Sequence, residues 1–133
     1  MVIDASAIIA CLLAEPERVA FAEAIEGDRV RLISVVQVVE ASFVILGRKQ
    51  EPGLTDLHAF LDDGEIERVA VDVRQAEAAV DAFRRFGKGR HPAGLNIGDC
   101  FAYALAKTTD EPLLFKGGDF ARTDIRAATK AGG

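Results

Sequence analysis

The chain predicts an α/β domain with a central parallel sheet of four to five strands flanked by helices, and three observations lead there. Short apolar runs rich in Val, Ile and Leu alternate with stretches of helical periodicity, and such alternation builds a parallel sheet covered on both faces. Half of the residues are hydrophobic, yet only 7% are aromatic and none is tryptophan, so the core is made mainly of Val, Ile, Leu and Ala. At 133 residues the chain is read as one domain spanning 1–133, expected to bury roughly two-thirds of its unfolded surface without a disulfide.

The elements follow in order. Val2 to Asp4 is a first short strand, and Ser6 to Leu13 is apolar enough for a helix buried on most sides. Glu17 to Ile25 places Val19, Ala22 and Ile25 on one helical side, and Gly27-Asp28 ends it. Val30 to Ile33 is the second strand, after which Ser34 caps a long helix towards Arg48. Glu51-Pro52-Gly53 breaks the chain. Leu54, Leu57, Phe60 and Leu61 then recur at helical spacing until Asp63-Gly64, and Ile66 to Val71 alternates as a third strand. Ala76, Ala79, Val80, Phe83 and Phe86 mark an amphipathic helix closed by Gly87. Four glycines and one proline between Gly87 and Gly98 predict a loop. A helix from Asp99 to Lys107, a fourth strand from Pro112 to Phe115 and a final short strand from Thr123 to Ile125 complete the chain, with Lys130 to Gly133 read as a frayed end.

Composition narrows the setting. Cys11 and Cys100 each lie in an apolar helical stretch with no Cys or His at zinc spacing, which predicts buried thiols in a reducing cytosol. Met1-Val2-Ile3-Asp4 opens directly on a strand, without the charged region and cleavage site of an export signal, and no apolar run approaches the ~20 residues of a membrane span. A cytoplasmic protein with no membrane partner is expected. The net charge of -5 opposes general attraction to nucleic acid. Locally the balance reverses: Arg84, Arg85, Lys88 and Arg90 precede Asp99 with no acidic residue between Arg84 and Gly98.

Four acidic residues stand out. Asp4 ends an apolar strand, Glu40 lies among apolar helical neighbours Val36, Phe43 and Val44, Asp99 follows a glycine, and Asp119 follows Gly117-Gly118. Three of them adjoin strand ends, where open parallel sheets bind their ligands. A cluster of carboxylates repels itself unless a cation neutralises it, so their convergence predicts a Mg2+ or Mn2+ site, hard oxygen donors without His or thiolate selecting these ions over zinc. Each residue has an ordinary alternative. Asp4 and Asp99 both suit helix N-caps, Asp119 suits a turn, and Glu40 suits a salt-bridged glutamate, although Arg48 and Lys49 lie about two turns away.

Asp4 and Asp99 are the expected principal ligands, with Glu40 and Asp119 completing the site directly or through water. A divalent ion there lowers the pKa of water and stabilises the leaving oxygen of a phosphodiester, so no protein nucleophile is needed. Arg84, Arg85, Lys88, Arg90 and Lys116 are the candidate phosphate contacts, and Gly87 to His91 is the candidate gripping loop or, equally, a solvated turn. Gly87-Lys88 is not a P-loop, because glycine follows the lysine. Ser6 stands where a phosphoaspartyl phosphatase needs a second carboxylate. A receiver-like domain needs an adjacent acidic pair that Asp4 alone does not provide.

The motifs Val2-Ile3-Asp4-Ala5-Ser6-Ala7, Val38-Val39-Glu40-Ala41, Leu95-Asn96-Ile97-Gly98-Asp99-Cys100-Phe101 and Leu114-Phe115-Lys116-Gly117-Gly118-Asp119-Phe120 together resemble the PIN domain, in particular the VapC toxins of type II toxin–antitoxin pairs. The resemblance spans the chain. It implies a three-layer fold, a metal-dependent endoribonuclease, a cognate antitoxin and a homodimer. It also implies that Asp4, Glu40, Asp99 and Asp119 form the metal site, with Ser6 hydrogen-bonding within it and Asp124 as an outer carboxylate. Position 5, often threonine in this pattern, is Ala5. The rival expectation is a PIN-like module that binds RNA or protein without cleaving it.

Overall fold

The computed structural model describes residues 1–129; the expected fraying of 130–133 lies outside them. Four short strands, β1 (Val2–Ile3), β2 (Leu32–Ser34), β3 (Glu67–Val69) and β4 (Leu113–Leu114), form one sheet in the order β3-β2-β1-β4. Every pairing is parallel, with Val2 opposite Leu32 and Leu113, and Ile33 opposite Arg68. The helices between them are α1 (Ala5–Leu12), α2 (Arg18–Glu26), α3 (Val35–Asp63), α4 (Val73–Phe86) and α5 (Ile97–Thr109).

The sheet separates two cores because successive strand residues point to opposite faces. Ile3, Ile33 and Leu114 pack on one side with Ala7, Ile8, Phe21, Ala41, Leu57 and Leu61 from α1, α2 and α3. Val2 and Leu113 turn to the other side, where Ala82, Leu95, Tyr103, Leu105 and Phe115 build the second core against α4 and α5. A helix–sheet–helix sandwich results, in agreement with the expected architecture. Both cysteines are buried, and burial pushes each thiol up to about 11.

Three local expectations are corrected. The break expected at Glu51-Pro52-Gly53 is present one residue earlier, at Gln50, whose φ of 60° and ψ of -157° are non-helical and kink α3 into two helices. Pro52 then sits in the first turn of the second half, where its missing N–H costs no helical bond. Asp99 does not start its helix. Asn96 caps α5, its side chain accepting from the Asp99 amide, while Asp99 in return accepts from the Asn96 amide. The segment Thr123 to Ile125 is not a strand, and its neighbourhood contributes one parallel bridge between Leu113 and Ala127. Among the described residues no helix is long and apolar enough to cross a membrane.

Candidate active site

Parallel strands direct β1, β2 and β4 towards one edge, and the chain leaves that edge through the acidic residues. Asp4 follows β1 and caps α1, its Oδ2 accepting both the Ser6 amide at 3.0 Å and the Ser6 hydroxyl at 2.6 Å. Ser6 Oγ in turn accepts the Lys116 amide at 2.9 Å, which ties the start of α1 to the turn after β4. That turn reaches Asp119 through Gly117, whose φ of +97° is a conformation that side chains disfavour. The hydroxyl of Ser6 therefore holds two acid-bearing segments in register.

Glu40 arrives from α3, which Ser34 caps by accepting the Val36 amide. The core-facing stripe of this helix is Gln37, Ala41 and Ile45, whereas Phe43 is 72% exposed and Val44 39%. The expectation that Glu40 shares a buried stripe with Phe43 and Val44 is thus corrected: it lies on the border of the buried stripe, against α5. A Cβ on Gly98 would fall 1.3 Å from Glu40 Oε1, so the missing side chain at 98 makes the cradle in which the carboxylate rests.

Electrostatics show which carboxylates meet. Burial raises the Asp4 carboxyl to about 6 against the opposing hydrogen bonds from Ser6, and Asp99 raises it further. Glu40 rises to about 7, through burial first and then the charges of Asp4 and Asp99. Asp99 is also raised, by burial and by Asp119, although its bond to the Asn96 amide opposes the shift. Asp4, Glu40 and Asp99 thus lie near enough for charge to act among them, and Asp119 lies near enough to act on Asp99. Among the described residues no three His, Cys, Asp or Glu side chains are gathered tightly enough to hold a metal as they stand. An all-oxygen donor set in which Asp4, Glu40 and Asp99 each feel the charge of another acidic residue, with a carboxylate seated in a glycine cradle, nevertheless fits a hard divalent cation.

The expected phosphate contacts are not alike. Lys116 Nζ pairs with Glu15 at 3.1 Å and Glu17 at 3.4 Å, Arg84 pairs with Asp81, and Arg85 pairs with Asp81 and Asp124. Lys88 and Arg90 are exposed in the α4–α5 loop and have no ion pair among the described residues. Asp124, expected as an outer carboxylate, accepts from the Tyr103 hydroxyl at 2.5 Å and pairs with Lys107 and Arg85. Tyr103 and Lys107 lie about one and two turns along α5 from Asp99.

Two polar residues at the site are not singled out by the sequence patterns above. Asn96 stands three residues before Asp99, a capping-box spacing that is legible in principle. Gln37, wholly buried, interrupts the apolar run Val35 to Val39 and lies three residues before Glu40. A lone amide in an apolar run is its available signal.

Comparison with known proteins places this architecture. Residues 1–126 match the PIN domain family. The chain is 50% identical over 125 residues to Ribonuclease VapC30 of Mycobacterium tuberculosis, covering 94% of this chain and 95% of that protein. Its fold is similar to the crystal structure of Mycobacterium tuberculosis VapC20, a sarcin-ricin loop cleaving toxin, with a TM-score of 0.76 at 13% identity over 93% of this chain and 95% of that one. A toxin–antitoxin complex from Klebsiella pneumoniae is also similar, with a TM-score of 0.68 at 19% identity over 92% of each chain. With the family matched over nearly its whole length and half of its residues shared with a VapC relative, the chain belongs to the VapC ribonucleases of the PIN-domain family.

Proposed function

We propose that the chain hydrolyses RNA phosphodiester bonds at the Asp4, Glu40, Asp99 and Asp119 site with Mg2+ or Mn2+, as the toxin of a toxin–antitoxin pair. The observation that carries the reading is the convergence of carboxylates from separate elements: Asp99 raises Asp4, Asp4 and Asp99 both raise Glu40, whose carboxylate rests against Gly98 beside Asp99, and Asp119 raises Asp99. Such an arrangement weakens the fold by itself and gains its sense from a cationic ligand.

Asp4 and Asp99 would hold the cation, with Glu40 and Asp119 joining directly or through water. When bound, a divalent ion supplies charge neutralisation, acidification of water and stabilisation of a leaving oxygen. The chain's own residues prepare that chemistry. Ser6 and Asn96 each occupy one oxygen of Asp4 and Asp99, fixing these carboxylates, while Gly98 leaves room for Glu40. Lys88 and Arg90 are the cations best placed to take RNA phosphates, because Lys116 and Arg85 are already paired.

An antitoxin partner is supported by the relatives' toxin–antitoxin assembly and by an apolar surface for protein contacts. A cavity of about 420 Å³ between α4 and α5 is lined by Val80, Phe83, Ile97 and Phe101, with Ile97 78% exposed. A homodimer would cover the same kind of surface. The activity is tested by incubating antitoxin-free protein with transfer RNAs and ribosomal RNA fragments in Mg2+, Mn2+ or EDTA, beside a folded Asp99→Asn variant. Discrete cuts that require metal and disappear in the variant are expected. A folded, cation-binding protein that cuts nothing in the panel would favour the non-cleaving RNA- or protein-binding module.

A further inference from the structure

Gln37 is wholly buried, and both ends of its amide are used across the site. Its Oε1 accepts the Ala5 amide at 2.9 Å and its Nε2 donates to the Gly98 carbonyl at 2.6 Å, partners 32 and 61 residues away in the chain. Ala5 follows Asp4, Gly98 precedes Asp99, and Glu40 lies three residues beyond Gln37 on the same helix. One amide therefore grips the backbone beside two of the carboxylates and belongs to the helix that carries a third. Its chemistry is specific to the task. Ala5 offers an unsatisfied helix-start N–H and Gly98 a carbonyl, so the bridge needs an acceptor and a donor at fixed separation, which a carboxylate or an ammonium cannot supply.

Carboxylates that repel one another spread unless the backbone bearing them is held. We infer that Gln37 is a positioning residue that sets the spacing of Asp4, Glu40 and Asp99 and thereby the affinity of the acidic site for a divalent cation. The inference rests on the reading of that site as a cation site. Gln75 provides the comparison: it is buried to a similar degree, its Nε2 donates to the Ala70 carbonyl just before α4, and its Oε1 has no partner among the described residues. Replacing Gln75 removes one side-chain hydrogen bond from the interior and replacing Gln37 removes two. Only Gln37 spans the acidic elements.

The test measures Mn2+ binding by titration calorimetry and thermal unfolding for the wild type, Gln37→Met, Gln75→Met and Asp99→Asn. Methionine keeps the length and volume of glutamine without its hydrogen bonds. Gln37→Met should weaken Mn2+ binding by about tenfold or more, the scale of losses when a residue supporting metal ligands is removed. Gln75→Met should lower stability and leave Mn2+ affinity at the wild-type value. Wild-type affinity in Gln37→Met, beside lost binding in Asp99→Asn, overturns the role of Gln37 alone. Wild-type affinity in Asp99→Asn overturns the site reading and the inference with it. Should Gln37→Met fail to fold, NMR of the wild type decides. Adding Mg2+ should shift the Gln37 side-chain NH2 and Ala5 amide resonances together and slow their exchange, whereas unmoved signals beside a shifted Asp99 resonance overturn the inference.

Discussion

Gly98 and Glu40 occupy the same space: a Cβ on residue 98 would stand 1.3 Å from Glu40 Oε1. The obstructing atom is the end of a flexible side chain, so Gly98→Ala can be accommodated by moving the carboxylate away. Alanine also favours a helix over glycine by roughly 0.5–1 kcal/mol. Stability should therefore stay within about 1 kcal/mol of wild type, while RNA cleavage falls by about 100-fold because a carboxylate is displaced by an ångström or more. Parallel melting curves and cleavage rates check this, and an active Gly98→Ala enzyme would remove Glu40 from the working site.

Neutralising one carboxylate should strengthen the cation-free fold while abolishing the chemistry. Asp4→Asn keeps an oxygen able to accept from Ser6, and asparagine caps helices as well as aspartate. What disappears is a buried charge near Asp99. In EDTA near neutral pH, Asp4→Asn and Asp99→Asn should each melt a few degrees above wild type, corresponding to roughly 1 kcal/mol. Cleavage should be lost in both, and a lowered melting temperature in EDTA would show that the hydrogen bonds of these carboxylates outweigh their mutual repulsion.

Much of this arrangement is legible in the residues, and the illegible parts share a cause. Asp4 and Asp119 follow β1 and β4, so a parallel sheet brings them to one edge whatever the packing details. The side of α3 that faces the core depends on tertiary orientation instead: Val36, Phe43 and Val44 look like a core stripe with Glu40, yet Phe43 is largely exposed and Gln37 is buried. Likewise the basic residues near Asp99 read as one patch, but Arg85 is engaged by Asp124, 39 residues away. Lys116 is engaged by Glu15, 101 residues away. Non-local pairing of this kind leaves no periodic trace.

Stability of the cation-free protein should fall as pH rises through the acidic site's range. Asp4 titrates near 3.8 when unfolded and about 6 when folded, and Glu40 near 4.5 and about 7. Between those values the folded state holds protons that the unfolded state has released, so stability is full below the lower pKa and is lost as pH passes the upper one. In EDTA, raising pH from about 5 to about 7.5 should lower the melting temperature, and Mn2+ should restore it at the higher pH with much less effect at the lower, where protons compete for the ligands. A melting temperature that climbs across this interval without metal would show that other groups outweigh the cluster.

Lys88 and Arg90 should govern RNA binding more than turnover. Both are exposed cations in a loop beside α5, outside the acidic cluster. Replacing both by glutamate should raise KM for RNA by roughly tenfold with kcat nearly preserved, and should flatten the salt dependence of binding by about one unit of slope for each phosphate left without its cation. The same substitution at Arg84, already paired with Asp81, should have a smaller effect. Equal salt slopes in the mutant and wild type would assign the loop to solvent.

Tyr103 and Asp124 separate fold from chemistry at the carboxyl-terminal segment. Burial would raise the Asp124 carboxyl, but hydrogen bonds from Tyr103, Lys107 and Arg85 hold it down at about 2. A depressed carboxylate contributes stability above its unfolded pKa near 3.8, and that contribution is lost as pH falls towards 2. Tyr103→Phe removes a bond to a charged, partly exposed acceptor and should cost about 1–2 kcal/mol at neutral pH, with a shallower loss of stability in acid. Cleavage and Mn2+ affinity should stay at wild-type values once the protein is folded, because Asp124 is neutralised by Lys107 and Arg85 rather than by a site cation. If Tyr103→Phe instead weakens Mn2+ binding at unchanged stability, Asp124 is the outer carboxylate of the site that the family resemblance implies.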